Sequence, residues 1–198
     1  MAETGWTRAA LSAVCARGWP GGGRETRCGG GSTWQATSHL RRLLPGVLRE
    51  LGIATLNDAG CGDAHWIRGV DLGTVDYLGY DLVRHASWDD VEIHGHLRFA
   101  VADFVIERLR PSDLTLCRDA LVHLPTAWVL AALANFRRDS RYLLATTFPG
   151  TVNAAREITP GGFARLDLAR EPFCLGAPRL LLSERARNKY LGLWELVE

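Results

Sequence analysis

Apolar residues recur at helical spacing through Leu40, Leu43, Leu44, Val47, Leu48 and Leu51, which predicts a helix over 33–51, bent at Pro45 and capped by Ser32 or Thr33. After Gly52 the pattern changes to short apolar runs separated by polar and helical stretches. Strands are expected at 53–59, 75–80, 97–102, around 114–116, and at 142–148. A short helix is expected over 64–70. A longer one starts at Pro125, with Val129, Leu130, Leu133 and Phe136 on its apolar face. Strands that alternate with helices in this way pack as a mostly parallel sheet with helices on both faces. The segment 151–169 reads as loop with a short strand, while 179–184 and 188–197 read as two antiparallel strands finishing the same sheet. Ahead of the long helix, 9–19 reads as a short helix and 20–32 as a mobile glycine-rich loop. The expected division is an N-terminal segment, 1–32, and one catalytic-sized domain, 33–198.

Composition narrows the class. Hydrophobic residues make up 47% of the 198 and charged residues 23%, so the chain carries enough apolar surface for one substantial core. Lys and Arg number 23 against 22 Asp and Glu, so no global field draws the protein to nucleic acid or to an anionic membrane. The five cysteines are odd in number and widely spaced, without a CxxC pair, which argues against a zinc knuckle or a disulfide framework. With no signal-peptide pattern and no run long enough to span a bilayer, a cytoplasmic setting is expected. His94 and His96 lack a third ligand nearby, so no metal site is expected.

The chemistry concentrates in Leu56-Asn57-Asp58-Ala59-Gly60-Cys61-Gly62-Asp63-Ala64-His65-Trp66. An apolar strand ends in a Gly-x-Gly turn, where the missing Cβ atoms let backbone approach a nucleotide. Asp81 follows at the end of the second strand, placed to accept ribose hydroxyls. A dinucleotide fingerprint would require glycine where His65 stands, and Asp63 would repel a pyrophosphate. No GxxxxGK[ST] sequence is present for ATP. A ligand carrying a sulfonium and an ammonium suits Asp58 and Asp63 better.

Asp58-Ala59-Gly60-Cys61-Gly62-Asp63 resembles the first motif of class I S-adenosylmethionine-dependent methyltransferases, with Ala64 standing where the family commonly has a third glycine. The resemblance covers most of the chain from about Leu40. It implies a Rossmann-like α/β fold, with a seven-stranded mostly parallel sheet whose last strand is antiparallel. It also implies S-adenosylmethionine as cofactor. Asp58, Gly60, Cys61 and Gly62 would then form the cofactor turn, Asp81 and Leu82 the ribose side, and Asp103 and Phe104 the adenine side. In Gly29-Gly30-Gly31-Ser32-Thr33-Trp34, Trp34 is a candidate lid over the cofactor, with a plain helix start as the alternative.

Methyl transfer needs alignment and a place for a proton. In Leu116-Cys117-Arg118-Asp119-Ala120-Leu121-Val122-His123, a helical segment would set Asp119 one turn from His123. His123 is the candidate base, with Asp119 and Arg118 positioning substrate and Arg118 also touching cofactor. The absence of an Asn/Asp-Pro-Pro-aromatic tetrad lowers the expectation of a nucleic-acid amine acceptor. Asn153, Arg156, Arg165 and Glu171 are expected to line the acceptor side. The reading is O-methylation of a small molecule or saccharide, with a homodimer left open. The alternatives are N-methylation of a small amine, a nucleotide-sugar or reductase-like enzyme, and a non-catalytic cofactor-binding subunit displaying Trp6, Trp19, Trp34 or Trp88.

Overall fold

The computed structural model describes residues 8–94, 97–153, 158–159, 161–186 and 188–196. Seven strands form one sheet: β1 (Thr55–Ala59), β2 (Asp76–Asp81), β3 (Leu97–Val101), β4 (Ser112–Cys117), β5 (Ser140–Thr147), β6 (Leu180–Ser183) and β7 (Tyr190–Glu195). Their spatial order is β3-β2-β1-β4-β5-β7-β6. The first five are parallel, and β7 pairs antiparallel with both β5 and β6. The mostly parallel sheet is the one expected from the alternating pattern, and the Rossmann-like seven-stranded arrangement is the one the resemblance implied. Strand order reverses direction between β1 and β4, which opens a crevice beyond their carboxyl ends.

Each central strand is buried on both faces. Along β5, Leu143 and Ala145 enter one apolar cluster while Tyr142 and Leu144 enter the other. The first cluster holds Val129, Leu133 and Phe136 of α4 (Thr126–Asp139), together with Leu11 of α1 (Arg8–Arg17). The second holds Leu40, Leu44, Val47 and Leu48 of α2 (Trp34–Glu50) against Leu56, Leu114 and Leu116. A third helix, α3 (Ser87–His94), follows β2. Thr33 caps α2 by accepting the Ala36 amide at 3.3 Å, and Pro45 lies inside the helix without ending it.

Three local expectations are corrected. Over 64–70 only a 3-10 turn, Ile67–Gly69, forms, because Ala64 takes a left-handed backbone (φ 57) that breaks helical continuation. No strand forms among the described residues of 151–169; the Asn153 side chain holds this stretch by donating to the Asp167 carbonyl and accepting from the Asp167 amide. Leu130 is 40% exposed on α4, since the buried stripe runs through Val129, Leu133 and Phe136. Among the described residues, no helix is long and apolar enough to cross a membrane.

Candidate functional site

The turn after β1 forms the floor of a cavity at the β1/β4 crevice. The Gly60 and Cys61 amides both donate to the Tyr80 carbonyl, at 2.8 and 3.0 Å, which folds the turn against the end of β2. Gly60 (φ 84) and Gly62 (φ 58) use backbone that favours glycine. Space demands it as well: a Cβ at Gly60 would lie 2.6 Å from the Ala120 Cβ, and one at Gly62 would lie 2.2 Å from Cys28 Sγ. The Gly62 amide donates to Asp81 Oδ2 at 2.9 Å, so the carboxylate at the end of β2 is tied directly to the turn.

Two carboxylates reach this cavity from the tips of adjacent strands, Asp58 from β1 and Asp81 from β2. Tyr77 donates its hydroxyl to Asp58 Oδ2 at 2.8 Å. Burial pushes the Asp58 carboxyl up to about 7; the Tyr77 bond opposes this and the neighbouring Asp81 charge adds to it. An acid so placed gains most from a cation seated beside it. Burial also raises the Cys61 thiol well above its ordinary range, which removes it as a nucleophile.

Leu82, Phe104 and Trp66 give the cavity apolar walls, and His85 lines it beside Asp81. The His85 Nε2 atom is buried without a hydrogen-bond partner, 3.7 Å from Asp81 Oδ1. An orphaned buried nitrogen next to a ribose-type carboxylate is a feature that a bound polar group would relieve. With two acids on the floor and apolar walls above, the residues fit a nucleoside bearing a cationic tail.

The N-terminal segment supplies the cover. Leu11, Cys15, Trp19 and Cys28 all line the cavity. Asp63 holds this cover down. Its Oδ2 accepts from the Thr26 hydroxyl at 2.7 Å and the Arg27 amide at 2.8 Å, while its own amide donates to Cys28 Sγ at 3.1 Å. Burial opposes ionisation of Asp63, but these bonds outweigh it and keep the carboxyl below its usual range. Glu25 accepts from the Trp34 amide and pairs with His65 Nε2 at 2.8 Å, joining the same loop to the start of α2.

The fourth side comes from the loop after β4. Asp119 adopts a left-handed backbone (φ 57), and its carboxylate meets Lys189 Nζ at 2.6 Å and the Thr146 hydroxyl at 3.3 Å. Arg118 is buried: it donates to Glu184 Oε2 at 2.6 Å and to the Gly31 carbonyl at 2.7 Å. Burial opposes the charge on Asp119, but Arg118 and Lys189 together hold the acid ionised. His123 lines the cavity and donates Nδ1–H to the Gly162 carbonyl at 2.6 Å, with the Trp19 ring 4.0 Å away, centroid to centroid.

No protein-family profile and no curated protein sequence matches the chain. Solved structures do. Magnesium protoporphyrin IX methyltransferase of Synechocystis PCC 6803, with bound SAH, superposes with a TM-score of 0.61 at 17% identity over 88% of this chain and 86% of that one. The 1,6-didemethyltoxoflavin-N1-methyltransferase of Burkholderia thailandensis gives 0.63 at 14% identity, over 83% and 81%. Human N-acetylserotonin methyltransferase gives 0.60 at 10% identity, over 83% of this chain. The chain spans 53% of that human protein and 56% of a similar structure from Nostoc punctiforme PCC 73102. The chain has the class I methyltransferase fold.

Within this fold the sequence-predicted site residues separate into three groups. Asp58, Gly60, Cys61, Gly62, Asp81, Leu82, Phe104, Arg118, Asp119 and His123 all line one cavity. Two do not. Asp103 bonds within the loop after β3, its Oδ1 accepting the Val105 amide at 2.9 Å, while Phe104 lines the cavity. Trp34 is also off the cavity wall: its ring packs under the Arg41 guanidinium at 3.9 Å and fills the space left by Gly69. Asp119 bonds directly to Lys189 and Thr146, with the helical spacing expected toward His123 replaced by a left-handed turn, while the nearby His123 charge still favours the ionised carboxylate. Of the residues expected on the acceptor side, Asn153 binds the Asp167 and Glu171 carbonyls, Arg165 lies over the Phe148 ring at 5.5 Å, and Arg156 falls outside the described residues. Sequence reasoning missed His85, whose only signal was its spacing of four from Asp81. It also missed Glu184 and Lys189, which had none.

Proposed function

We propose that this chain is an S-adenosylmethionine-dependent methyltransferase that transfers a methyl group to a hydroxyl of a small molecule. The observation that carries the reading is the convergence of Asp58, Asp81 and the Gly60–Gly62 turn on one covered cavity at the β1/β4 crevice. Asp81, with Leu82, would hold the ribose, Phe104 the adenine face, and Asp58 the cationic end of the cofactor. When bound, the cofactor supplies an electrophilic methyl on sulfur. The protein's own part is to align the acceptor, exclude water through the Asp63-held cover, and take up the hydroxyl proton at His123. Asp119 and Arg118 hold the β4 loop in place from below, with Lys189 and Glu184. The name of the toxoflavin N1-methyltransferase keeps transfer to a small-molecule nitrogen as the second reading.

Calorimetry against S-adenosylmethionine, S-adenosylhomocysteine and NAD tests the cofactor. Saturable binding of the first two and none of the third is expected; the reverse would overturn the assignment. The His123→Ala variant should bind S-adenosylmethionine as the parent does and lose about 10²- to 10⁴-fold in turnover at neutral pH. An unchanged pH-rate profile would remove His123 as the base.

A further inference from the structure

One polar side chain on the cavity wall has nothing to bond. His85 is 8% exposed and lines the cavity beside Asp81, yet its buried Nε2 atom has no hydrogen-bond partner among the described residues. Asp81 Oδ1 stands 3.7 Å from it, too far for a hydrogen bond. At that separation a lone pair on Nε2 would face the carboxylate unfavourably, so the proton of the neutral ring belongs on Nε2. A buried N–H left in this state destabilises the unliganded protein by its lost hydration.

The ring is nevertheless held firmly. The His85 carbonyl accepts the Trp88 amide at 3.1 Å, and the two rings lie 5.5 Å apart between centroids. Trp88, fully buried, donates Nε1–H to the Gly62 carbonyl at 2.8 Å, and the Ser87 hydroxyl donates to the Asp63 carbonyl at 2.8 Å. The segment carrying His85 is thus tied to the same turn that Asp81 serves. Asp81 is itself only half used. Its Oδ2 accepts the Gly62 amide at 2.9 Å, whereas among the described residues Oδ1 takes one long hydrogen bond, from the Val83 amide at 3.4 Å. A donor without an acceptor and an acceptor with a poor donor therefore stand side by side. One hydroxyl serves both, since it accepts and donates at once.

Resting on the S-adenosylmethionine reading above, we infer that His85 is a cofactor-binding residue whose Nε2–H donates to a ribose hydroxyl, while that hydroxyl donates its own proton to Asp81 Oδ1. A carboxylate alone takes the hydroxyl's proton and leaves its oxygen without a donor. The imidazole supplies that donor, so the hydroxyl is recognised from both sides. An analogue with hydrogen in its place leaves two buried protein groups unpaired, and the site rejects it more sharply than Asp81 would by itself.

The test is calorimetry of the full chain with S-adenosylhomocysteine and its 2′-deoxy and 3′-deoxy analogues, together with thermal unfolding of the unliganded protein. One of the two analogues should bind the parent about 10- to 100-fold more weakly than S-adenosylhomocysteine. His85→Phe keeps a ring and removes Nε2. It should bind S-adenosylhomocysteine about three- to tenfold more weakly, lose a similar factor of discrimination against that analogue, and raise the unliganded Tm by about 2–4 °C, because the unpaired N–H is gone. His85→Gln, which restores an amide donor near the place of Nε2, should keep discrimination within about threefold of the parent. Equal binding of all three ligands to the parent would overturn the inference without recourse to a variant. Full discrimination in His85→Phe would overturn it as well, and would mark the ring as structural. Either result leaves the cofactor reading in place, whereas failure of the parent to bind S-adenosylhomocysteine would bring down both.

Discussion

The floor and the cover of the cavity are built on different physical plans. The floor is local. Asp58, Gly60 and Gly62 lie within one turn, and Asp81 reaches that turn from the neighbouring parallel strand through a single bond at 2.9 Å. The cover and the β4 side depend on pairs far apart in sequence. Asp63 meets Thr26 across 37 residues, Arg118 meets Glu184 across 66, Lys189 meets Asp119 across 70, and Arg118 meets Gly31 across 87. The floor can thus form as soon as β1 and β2 pair. The cover requires the whole sheet, including the turn between β6 and β7, to be in place. The difference predicts that damage to the floor lowers cofactor affinity, while damage to the cover costs stability and opens the site.

The largest effect should come from the buried charges. Arg118→Met leaves Glu184 in the interior with only Lys189 as partner, and should cost about 3–5 kcal/mol in urea unfolding. Adding Glu184→Gln should recover part of that loss. If the single variant were as stable as the parent, the network would not hold the cover.

Next comes the floor. Asp81→Ala removes the acceptor for Gly62 and the ribose carboxylate, and should weaken S-adenosylmethionine binding about 10- to 100-fold by calorimetry, with a smaller loss of stability. Equal losses in affinity and stability would blur the distinction between the two regions.

Asp63→Ala should free the Thr26–Cys28 stretch at a cost of about 1–2 kcal/mol, seen as faster amide exchange at Arg27 and its neighbours while the β1 and β2 amides stay protected. Spread of the faster exchange into β1 would show that floor and cover unfold together.

The last comparison concerns pH. With its folded-state value raised to about 7 from 3.8, Asp58 takes up a proton on folding between those limits. Its contribution to the stability of the unliganded protein is therefore full at low pH and is lost as pH rises toward 7. A cationic ligand favours the ionised acid, so affinity should rise with pH by up to about tenfold between pH 6 and 7, with proton release. Asp58→Asn should flatten both trends. Calorimetry in two buffers of different ionisation enthalpy measures the released proton.

Much of this molecule was written in short stretches of sequence. The apolar runs and helical stripe predicted the strands and the main helices, because burial on a two-faced sheet imposes its own period. Asp58-Ala59-Gly60-Cys61-Gly62 and Asp81 identified the floor, because a strand-to-turn transition writes its glycine and carboxylate spacing into a short stretch of sequence. Ala64 shows the limit of local reading: its left-handed backbone is the conformation a glycine would favour, and the surrounding fold imposes it on alanine.

The tertiary structure decided the rest. It bonded Asp103 to the Val105 amide, sent Trp34 to Arg41 and Gly69, and tied Asp119 to Lys189. It also joined a glycine-rich leader to the turn at Asp63. Those outcomes hinge on which side chains from distant segments arrive at the same buried point, and on the need of each buried charge and donor there for a partner. A one-dimensional pattern records the periodicity of burial but carries no coordinate for that meeting.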